Sequence, residues 1–208
     1  LIRFSNRWFY ENRLITFPSS TINDTEFGIS GHFVSDGIYD RGASRTNRRE
    51  ADLIVDLVFR HMREHPDESI GVAAMSVSQA NHIQELIDHR RISEPDLDDR
   101  FSLDNPENLF VKNLENVQGD ERDRIILSIG YGPTYVGEQN PPNNFGPLNI
   151  KGGERRLNVL ITRARKRLDV VYSIKPSQIT SQGAGPRLMR NFLEYVEDPH
   201  MVFGMDPI

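Results

Sequence analysis

The amino-acid sequence predicts an α/β fold in which a mostly parallel sheet is flanked by helices. Short apolar segments at residues 70–77, 124–130 and 168–173 are predicted as strands, and amphipathic segments of ten or more residues alternate with them. Strands separated by helices of this length form βαβ units. The chain has 208 residues, of which 37% are hydrophobic, so it is long enough to bury a core.

The first third of the chain provides a loop, a strand and a capped helix. Residues 1–10 resemble the middle of an element, which favours a chain that is a piece of a longer protein. Residues 19–32 are polar and rich in turn formers, which predicts a loop before a short strand at residues 33–34. Asn47 lies three residues before Glu50 and opens an apolar series with helical spacing, so Asn47 is predicted to cap a helix. The apolar positions of that helix are Ala51, Ile54, Val55, Val58 and Met62.

The middle of the chain alternates between strand and helix. Residues 70–77 form a continuous apolar run, as in a strand covered on both faces. Ser78 is predicted to cap the following helix. A brief strand is predicted at residues 109–112 and a clearer one at 124–130.

A long segment rich in glycine, proline and asparagine follows, at residues 131–152. The tandem Pro141-Pro142 excludes a regular element through its centre. Loops of this length inside a domain are unusual and often functional. A variable surface excursion is the alternative, and the sequence leaves both open.

The segment 153–166 is predicted to be helical, with a strand at 168–173 and a last helix at 186–196. At about 100° per residue, one apolar stripe and one arginine flank form on the predicted helix. Grouped guanidinium groups favour an anionic partner, either phosphate or carboxylate, although a solvated basic face is the alternative. The stripe comprises Leu157, Leu160, Ile161, Ala164 and Leu168, and the flank comprises Arg156, Arg163 and Arg167.

Composition excludes several classes of protein. The chain lacks cysteine, so it has no disulfide framework, thiolate metal site or cysteine nucleophile. No apolar run approaches the roughly 20 residues of a membrane span, and no signal peptide pattern is present. We therefore expect a cytoplasmic protein without a membrane partner. The net charge of −5 argues weakly against a general nucleic-acid coat, although six basic residues fall between Arg155 and Arg167.

A charged turn precedes the strand at 124–130. It contains Gln118, Gly119 and Glu121, where the glycine would let a ligand approach the backbone and the carboxylate could pair with an arginine. A turn with local ion pairs is the alternative.

Taken together, QGDERDRIILS and GGERRLNVLITRARKRL resemble motifs V and VI of superfamily 1 helicases, in the branch that includes the nonsense-mediated-decay RNA helicase. NRWFYENRLITFP and GVAAMSVSQANHIQELI resemble other segments of that branch. The resemblance implies a single RecA-like, P-loop NTPase-type domain over residues 1–208, the second motor domain of an ATP-dependent DNA or RNA helicase.

The resemblance also implies roles for individual residues. Arg163 matches the arginine finger, which stabilises charge on the γ-phosphate during hydrolysis. Gln118, Gly119 and Glu121 match positions on the nucleotide side, and Arg156 matches a structural or nucleotide contact. The positions implied to contact nucleic acid are Ser76, Gln79 and Asn113.

The chain departs from a complete motor in one respect. It contains no G-x-x-x-x-G-K-[ST] phosphate loop and no Walker B strand. ATP and Mg²⁺ are therefore expected to be held mainly by an N-terminal RecA-like domain of the same polypeptide, and the isolated segment is expected to be inactive. Single-stranded DNA or RNA is the expected partner.

Three weaker features have structural interpretations. His61 and His65 have zinc-ligand spacing but no third ligand, so an exposed helix end is preferred. Residues 94–100 carry four carboxylates and suggest a metal-dependent nuclease through Asp98 and Asp99, but a solvated loop is preferred. The aromatic residues 8–10 are predicted to belong to the core rather than to stack on bases.

A non-catalytic RecA-like module that binds nucleic acid or protein is the main alternative function.

Overall fold

The computed structural model describes residues 2–15, 27–102 and 104–199. In this part of the chain five parallel strands form one sheet in the order β1-β5-β4-β2-β3. The strands are β1 (Gly28–Phe33), β2 (Ile70–Ala74), β3 (Phe110–Asn113), β4 (Arg122–Ser128) and β5 (Ala164–Tyr172). The helices are α1 (Ile2–Phe9), α2 (Arg48–Glu64), α3 (Val77–Arg91), α4 (Gly153–Ile161) and α5 (Ala184–Glu197). The predicted α/β class with a parallel sheet is confirmed.

The sheet separates two hydrophobic layers. Helices α2 and α3 cover one face, where Ile126 and Val171 point, and α1, α4 and α5 cover the other, where Ile125 and Leu168 point. All five residues of β2 are buried, as predicted for a strand covered on both faces. Because successive side chains of a strand point to opposite faces, β4 and β5 contribute to both layers.

Helix α2 follows the predicted pattern. The Asn47 side chain accepts a hydrogen bond from the backbone N–H of Glu50, at 3.2 Å, and caps the helix. The prediction for α3 was wrong by two residues, because Ser76, not Ser78, caps it through a 3.2 Å bond from the N–H of Gln79. The strand before it accordingly ends at Ala74.

The predicted helix over 153–166 is wrong in its second half. Helix α4 ends at Ile161, and β5 begins at Ala164. Leu168 fits both a helical and a two-residue period, and the parallel hydrogen bonds of β5 with β1 and β4 select the strand. Arg163 therefore lies in the connecting turn and Arg167 in the strand, so the three arginines do not share a helix flank.

Two predicted loops differ from expectation. Strand β1 occupies residues 28–33, part of the predicted loop, because its half-buried edge sequence GISGHF carries no clear apolar period; residues 19–26 of that loop lie outside the described residues. The loop at 131–152 has no regular element through Pro141-Pro142, as predicted, and contains one 3₁₀ turn (Gly146–Asn149). However, Phe145 and Leu148 are buried in the core, so the loop is packed rather than loose.

Candidate functional site

The predicted site residues lie at two opposite edges of the sheet. Gly119, Glu121 and Arg163 precede β4 or β5 and therefore lie at the amino edge. Ser76 follows β2 as the cap of α3, and Asn113 is the last residue of β3, so both lie at the carboxyl edge. The seven residues of β4 span about 20 Å between these edges.

At the amino edge the structure brings the two helicase-like motifs into contact. The Nη1 atom of Arg163 lies 3.3 Å from Oε1 of Glu121. The backbone N–H of Arg122 also donates to the carbonyl of Arg163, at 3.2 Å. The charged turn and the arginine are therefore held together by both backbone and side chain.

The guanidinium group of Arg163 is oriented by its own turn. Its Nε donates to the carbonyl of Val159 at 3.0 Å, and its Nη2 donates to Oγ1 of Thr162 at 3.2 Å. Only 20% of the side chain is exposed. A guanidinium has five N–H donors, so two remain beyond these bonds and the pair with Glu121. That number matches the bidentate geometry of a phosphate.

The turn that carries Glu121 is anchored on both sides. Val117 is fully buried, and Arg122 donates to the carbonyl of Asn108 through Nε and Nη2, at 3.1 and 2.8 Å. Gly119 has φ +92°, and a Cβ there would meet nothing within 4 Å. The backbone of this exposed turn therefore faces open space, where a ligand can approach it. Gln118 is exposed on the same turn.

Arg156 is not part of this cluster. It lies in α4, and its Nε is 3.8 Å from Oε1 of Glu115. The helix rises about 7.5 Å from Arg156 to its end at Ile161, and Arg163 lies beyond it in the connecting turn. The structure therefore separates Arg156 from the arginine turn.

At the carboxyl edge the three predicted nucleic-acid residues differ in burial and in the hydrogen bonds that their side chains already make. Ser76 is half-buried and Asn113 buried, and each caps the segment that follows it; Oδ1 of Asn113 accepts from the N–H of Asn116 at 3.0 Å. Gln79 is buried, and its amide contacts Asn47 and the Oγ of Ser128. The Gln79 amide is therefore engaged within the fold, and its contact with a nucleic-acid backbone stays a prediction.

A buried polar network that the sequence did not predict supports this edge. The carboxylate of Glu50 accepts hydrogen bonds from Ser173 at 2.7 Å, the N–H of Gly130 at 2.7 Å, Ser128 at 3.0 Å and Asn47 at 3.2 Å. Burial raises the pKa of Glu50 from 4.5 to about 7, against the effect of these bonds. The spacing of Asn47 and Glu50 predicts the helix cap. The other side-chain partners have no local pattern in the sequence, because Ser128 and Ser173 lie 78 and 123 residues from Glu50.

A second network lies between α2 and the sheet. Asp169 is fully buried and accepts from Nε of Arg124 at 2.6 Å and contacts Nε2 of His32 at 2.7 Å. Burial alone would raise the pKa of Asp169, but the bonds from His32 and Arg124 lower it to about 2. His61 lies 3.3 Å from Arg124 and is buried, so the predicted exposed helix end was wrong for this residue. Burial and the Arg124 charge lower the pKa of His61 to about 4.

The features with weaker interpretations make contacts within the fold. In the described part of the chain no group of three or more histidine or carboxylate side chains is placed to hold a metal ion. Asp98 of the acidic segment is exposed and pairs with Arg91 at 2.5 Å. Trp8 and Phe9 pack against the core, whereas Tyr10 is 41% exposed. None of the described helices is long and apolar enough to cross a membrane.

Comparison with known proteins identifies this parallel α/β domain, in which the QGDE turn contacts Arg163, as a helicase-type motor domain. The sequence profile of the AAA domain family matches residues 1–175. The chain belongs to this family, and the predicted relationship to the C-terminal domain of superfamily 1 helicases is confirmed.

The relatives are helicases that are much longer than this chain. An uncharacterized ATP-dependent helicase of Mycoplasma genitalium, MG140, is 34% identical over 204 residues, and its homolog in Mycoplasma pneumoniae is 35% identical over 205 residues. Each match covers 95% of this chain and 17% of the relative. The DNA polymerase alpha-associated DNA helicase A of Saccharomyces cerevisiae is 29% identical over 133 residues, which cover 64% of this chain and 16% of the relative.

A solved structure shows only a distant likeness. It is described as the C-terminal domain of a possible DNA helicase from Lactobacillus plantarum, with 16% identity and a TM-score of 0.38. The match covers 63% of this chain and 72% of that chain. A likeness at this level adds nothing to the family relationship.

Proposed function

We propose that this chain is the C-terminal motor domain of an ATP-dependent helicase that acts on single-stranded DNA or RNA. The contact between Glu121 and Arg163 at 3.3 Å, beside the open Gly119 turn, carries this proposal. The amino edge would face ATP held, with its Mg²⁺, by an N-terminal RecA-like domain of the same polypeptide. The helicase names of the relatives support this assignment.

In this proposal Arg163 is the arginine finger. At rest its guanidinium is neutralised by Glu121. A γ-phosphate that enters the cleft offers a stronger anionic partner, so the arginine would turn its remaining donors towards it and stabilise charge that develops during phosphoryl transfer. Hydrolysis removes that anion, and the guanidinium returns to Glu121. Gln118 and Gly119 would contact the nucleotide from the same turn, and Arg156 would support α4 through Glu115.

The carboxyl edge would carry the nucleic acid. Ser76 and Asn113 lie at the ends of neighbouring strands and would contact the sugar-phosphate backbone. Contacts of this kind position a strand without reading its bases. Since β4 and β5 connect the two edges, domain closure around ATP would move this surface as one body with the finger.

The experiment that tests this function compares ATP hydrolysis by the full polypeptide that contains this sequence with hydrolysis by residues 1–208 alone. We expect the full polypeptide to hydrolyse ATP faster when oligothymidylate or oligouridylate is added. The isolated segment should show no hydrolysis, because it has no phosphate loop. A full polypeptide that hydrolyses no ATP would contradict the proposal and favour a non-catalytic binding module.

A further inference from the structure

The loop that joins β1 to α2 is a rigid projection from the carboxyl edge. The N–H of Asp40 donates to the carbonyl of Thr46 at 2.9 Å, and the N–H of Arg45 donates to the carbonyl of Asp40 at 2.8 Å. The carboxylate of Asp40 also accepts from the N–H and the hydroxyl of Ser44, both at 2.8 Å. These bonds close the loop at its base and fix the conformation of its tip.

Arg45 occupies the tip of this loop in an unusual state. Its φ is +57°, a left-handed conformation that favours glycine or asparagine. The side chain is exposed, and no hydrogen bond or ion pair joins it to the described residues. Its neighbours differ, because Arg49 lies 3.1 Å from Asp36 and Arg48 lies 4.0 Å from Asp52. The fold therefore displays one uncompensated guanidinium at a position where arginine is conformationally unfavourable.

A second loop, which is bonded to the base of the first, displays an aromatic side chain. Tyr135 and Val136 are each 61% exposed at the start of the long loop after β4. Their turn is fixed, because the carboxylate of Glu138 accepts from the N–H and hydroxyl of Thr134 at 2.6 and 3.1 Å. The ring is thus exposed on a fixed turn and does not pack into the core.

The two loops belong to one surface. The N–H of Tyr39 donates to the carbonyl of Pro133 at 2.8 Å, which joins the base of the Arg45 loop to the Tyr135 turn. A groove of about 530 Å³ separates the Arg45 loop from the first turns of α3. Its walls supply hydroxyl, amide, imidazole and guanidinium groups from Ser44, Thr46, Arg48, Ser78, Asn81 and His82, together with the side chain of Ile38 and the carboxylates of Asp40 and Glu85. The Asp40 carboxylate is occupied by its bonds to Ser44.

We propose that this surface binds single-stranded nucleic acid through Arg45, which contacts a backbone phosphate, and Tyr135, which stacks on a base. An exposed cation and an exposed ring on two joined loops match the two parts of a nucleotide, and sequence-independent single-strand binding uses this combination. The groove continues from Arg48 to Ser78, next to the Ser76 cap, so it would extend the backbone track of the carboxyl edge. The inference rests on the proposed function and names residues that neither motif V nor motif VI contains.

The test measures binding of the full polypeptide to fluorescein-labelled oligothymidylate by anisotropy at several salt concentrations. Tyr135→Ala should weaken binding about tenfold, and Tyr135→Phe should restore most of it. Arg45→Gln should weaken binding and lower the salt slope by about 0.7, whereas Arg45→Lys should keep the slope. Arg60→Gln is the matched control, because Arg60 is exposed on α2 about 18 Å along the helix from Arg48. It should bind as the wild type does.

Arg45→Gly separates a binding role from a structural one. Glycine tolerates φ +57°, so this variant should unfold at a higher temperature while it binds the oligonucleotide more weakly. If the wild type binds and Arg45→Gln, Arg45→Gly and Tyr135→Ala bind equally well with the same salt slope, this inference is overturned and the proposed function stands. If the wild type binds no single strand, the proposed function fails and this inference with it.

Discussion

Glu50→Gln is expected to flatten the pH dependence of folding stability between about pH 4.5 and 7. Burial raises the pKa of Glu50 in the folded chain from 4.5 to about 7, so folding takes up a proton in this range. The stabilising contribution is therefore complete below about pH 4.5 and is lost as the pH rises to about 7. At about 1.4 kcal/mol for each pH unit, the loss amounts to about 3 kcal/mol.

The geometry explains why glutamine is a suitable replacement. The side-chain oxygen can still accept from the N–H of Gly130, and the amide can donate to the hydroxyl of Ser173, which now lies 2.7 Å from the carboxylate. The variant therefore loses the titration and the 3.2 Å bond from the Asn47 amide but can keep the other three bonds of the network. Between pH 4.5 and 8 it should lose less stability than the wild type does.

The assay is urea unfolding followed by circular dichroism at steps from pH 4.5 to 8. Glu64→Gln is the control, because Glu64 is exposed on the last turn of the same helix, and it should keep the wild-type pH dependence. Parallel curves for wild type and Glu50→Gln would refute the reasoning, since they would mean that Glu50 does not change its protonation on folding.

Three further substitutions test a buried ion pair and the packing of the core. Arg124→Met should lower the free energy of unfolding by about 3–5 kcal/mol at pH 7, because it leaves the buried carboxylate of Asp169 without its 2.6 Å partner. The pKa of Asp169 is lowered to about 2, so this loss of stability should shrink as the pH falls from about 4 towards 2. A loss that does not change with pH would contradict the role given to the Asp169 carboxylate. Phe192→Ala, at a fully buried position, should cost about 3–5 kcal/mol in urea unfolding, and a cost below 1 kcal/mol would show that the layer under α5 is loosely packed. Gly71→Ala should cost about 1–3 kcal/mol, because its Cβ would overlap the ring of Phe110, and an unchanged midpoint would mean that the ring moves freely.

The elements that follow local periodicity were predictable from the sequence. Helix α2 begins at its predicted cap, and β2 is buried on both faces as its unbroken apolar run indicates. The boundary between α4 and β5 was not predictable in this way. Leu168 satisfies both a helical and a strand period, and the choice depends on pairing with β1 and β4, which are distant in sequence.

The candidate site shows the same division. The sequence predicted that Glu121 could pair with an arginine, and the structure identifies Arg163 as that partner. The predicted helix placed Arg163 on a helix flank, so its position in a turn before β5 was not foreseen. The Glu50 and Asp169 networks were not, since their partners lie on other elements and have no local pattern. Arg45 illustrates a signal that sequence alone cannot supply, because its importance depends on a backbone angle and on the lack of an ion pair in the described residues.

The most direct measurement of the central claim is ATP turnover by the Arg163→Ala variant of the full polypeptide, with single-stranded nucleic acid present. An arginine finger predicts a fall in turnover of about 10³-fold or more. Arg60→Ala is the matched control, because Arg60 is exposed on α2, outside the turns that carry Glu121 and Arg163, so its turnover should stay close to wild type. Turnover of Arg163→Ala near the wild-type rate would contradict the assignment of Arg163 and the motor function proposed for this domain.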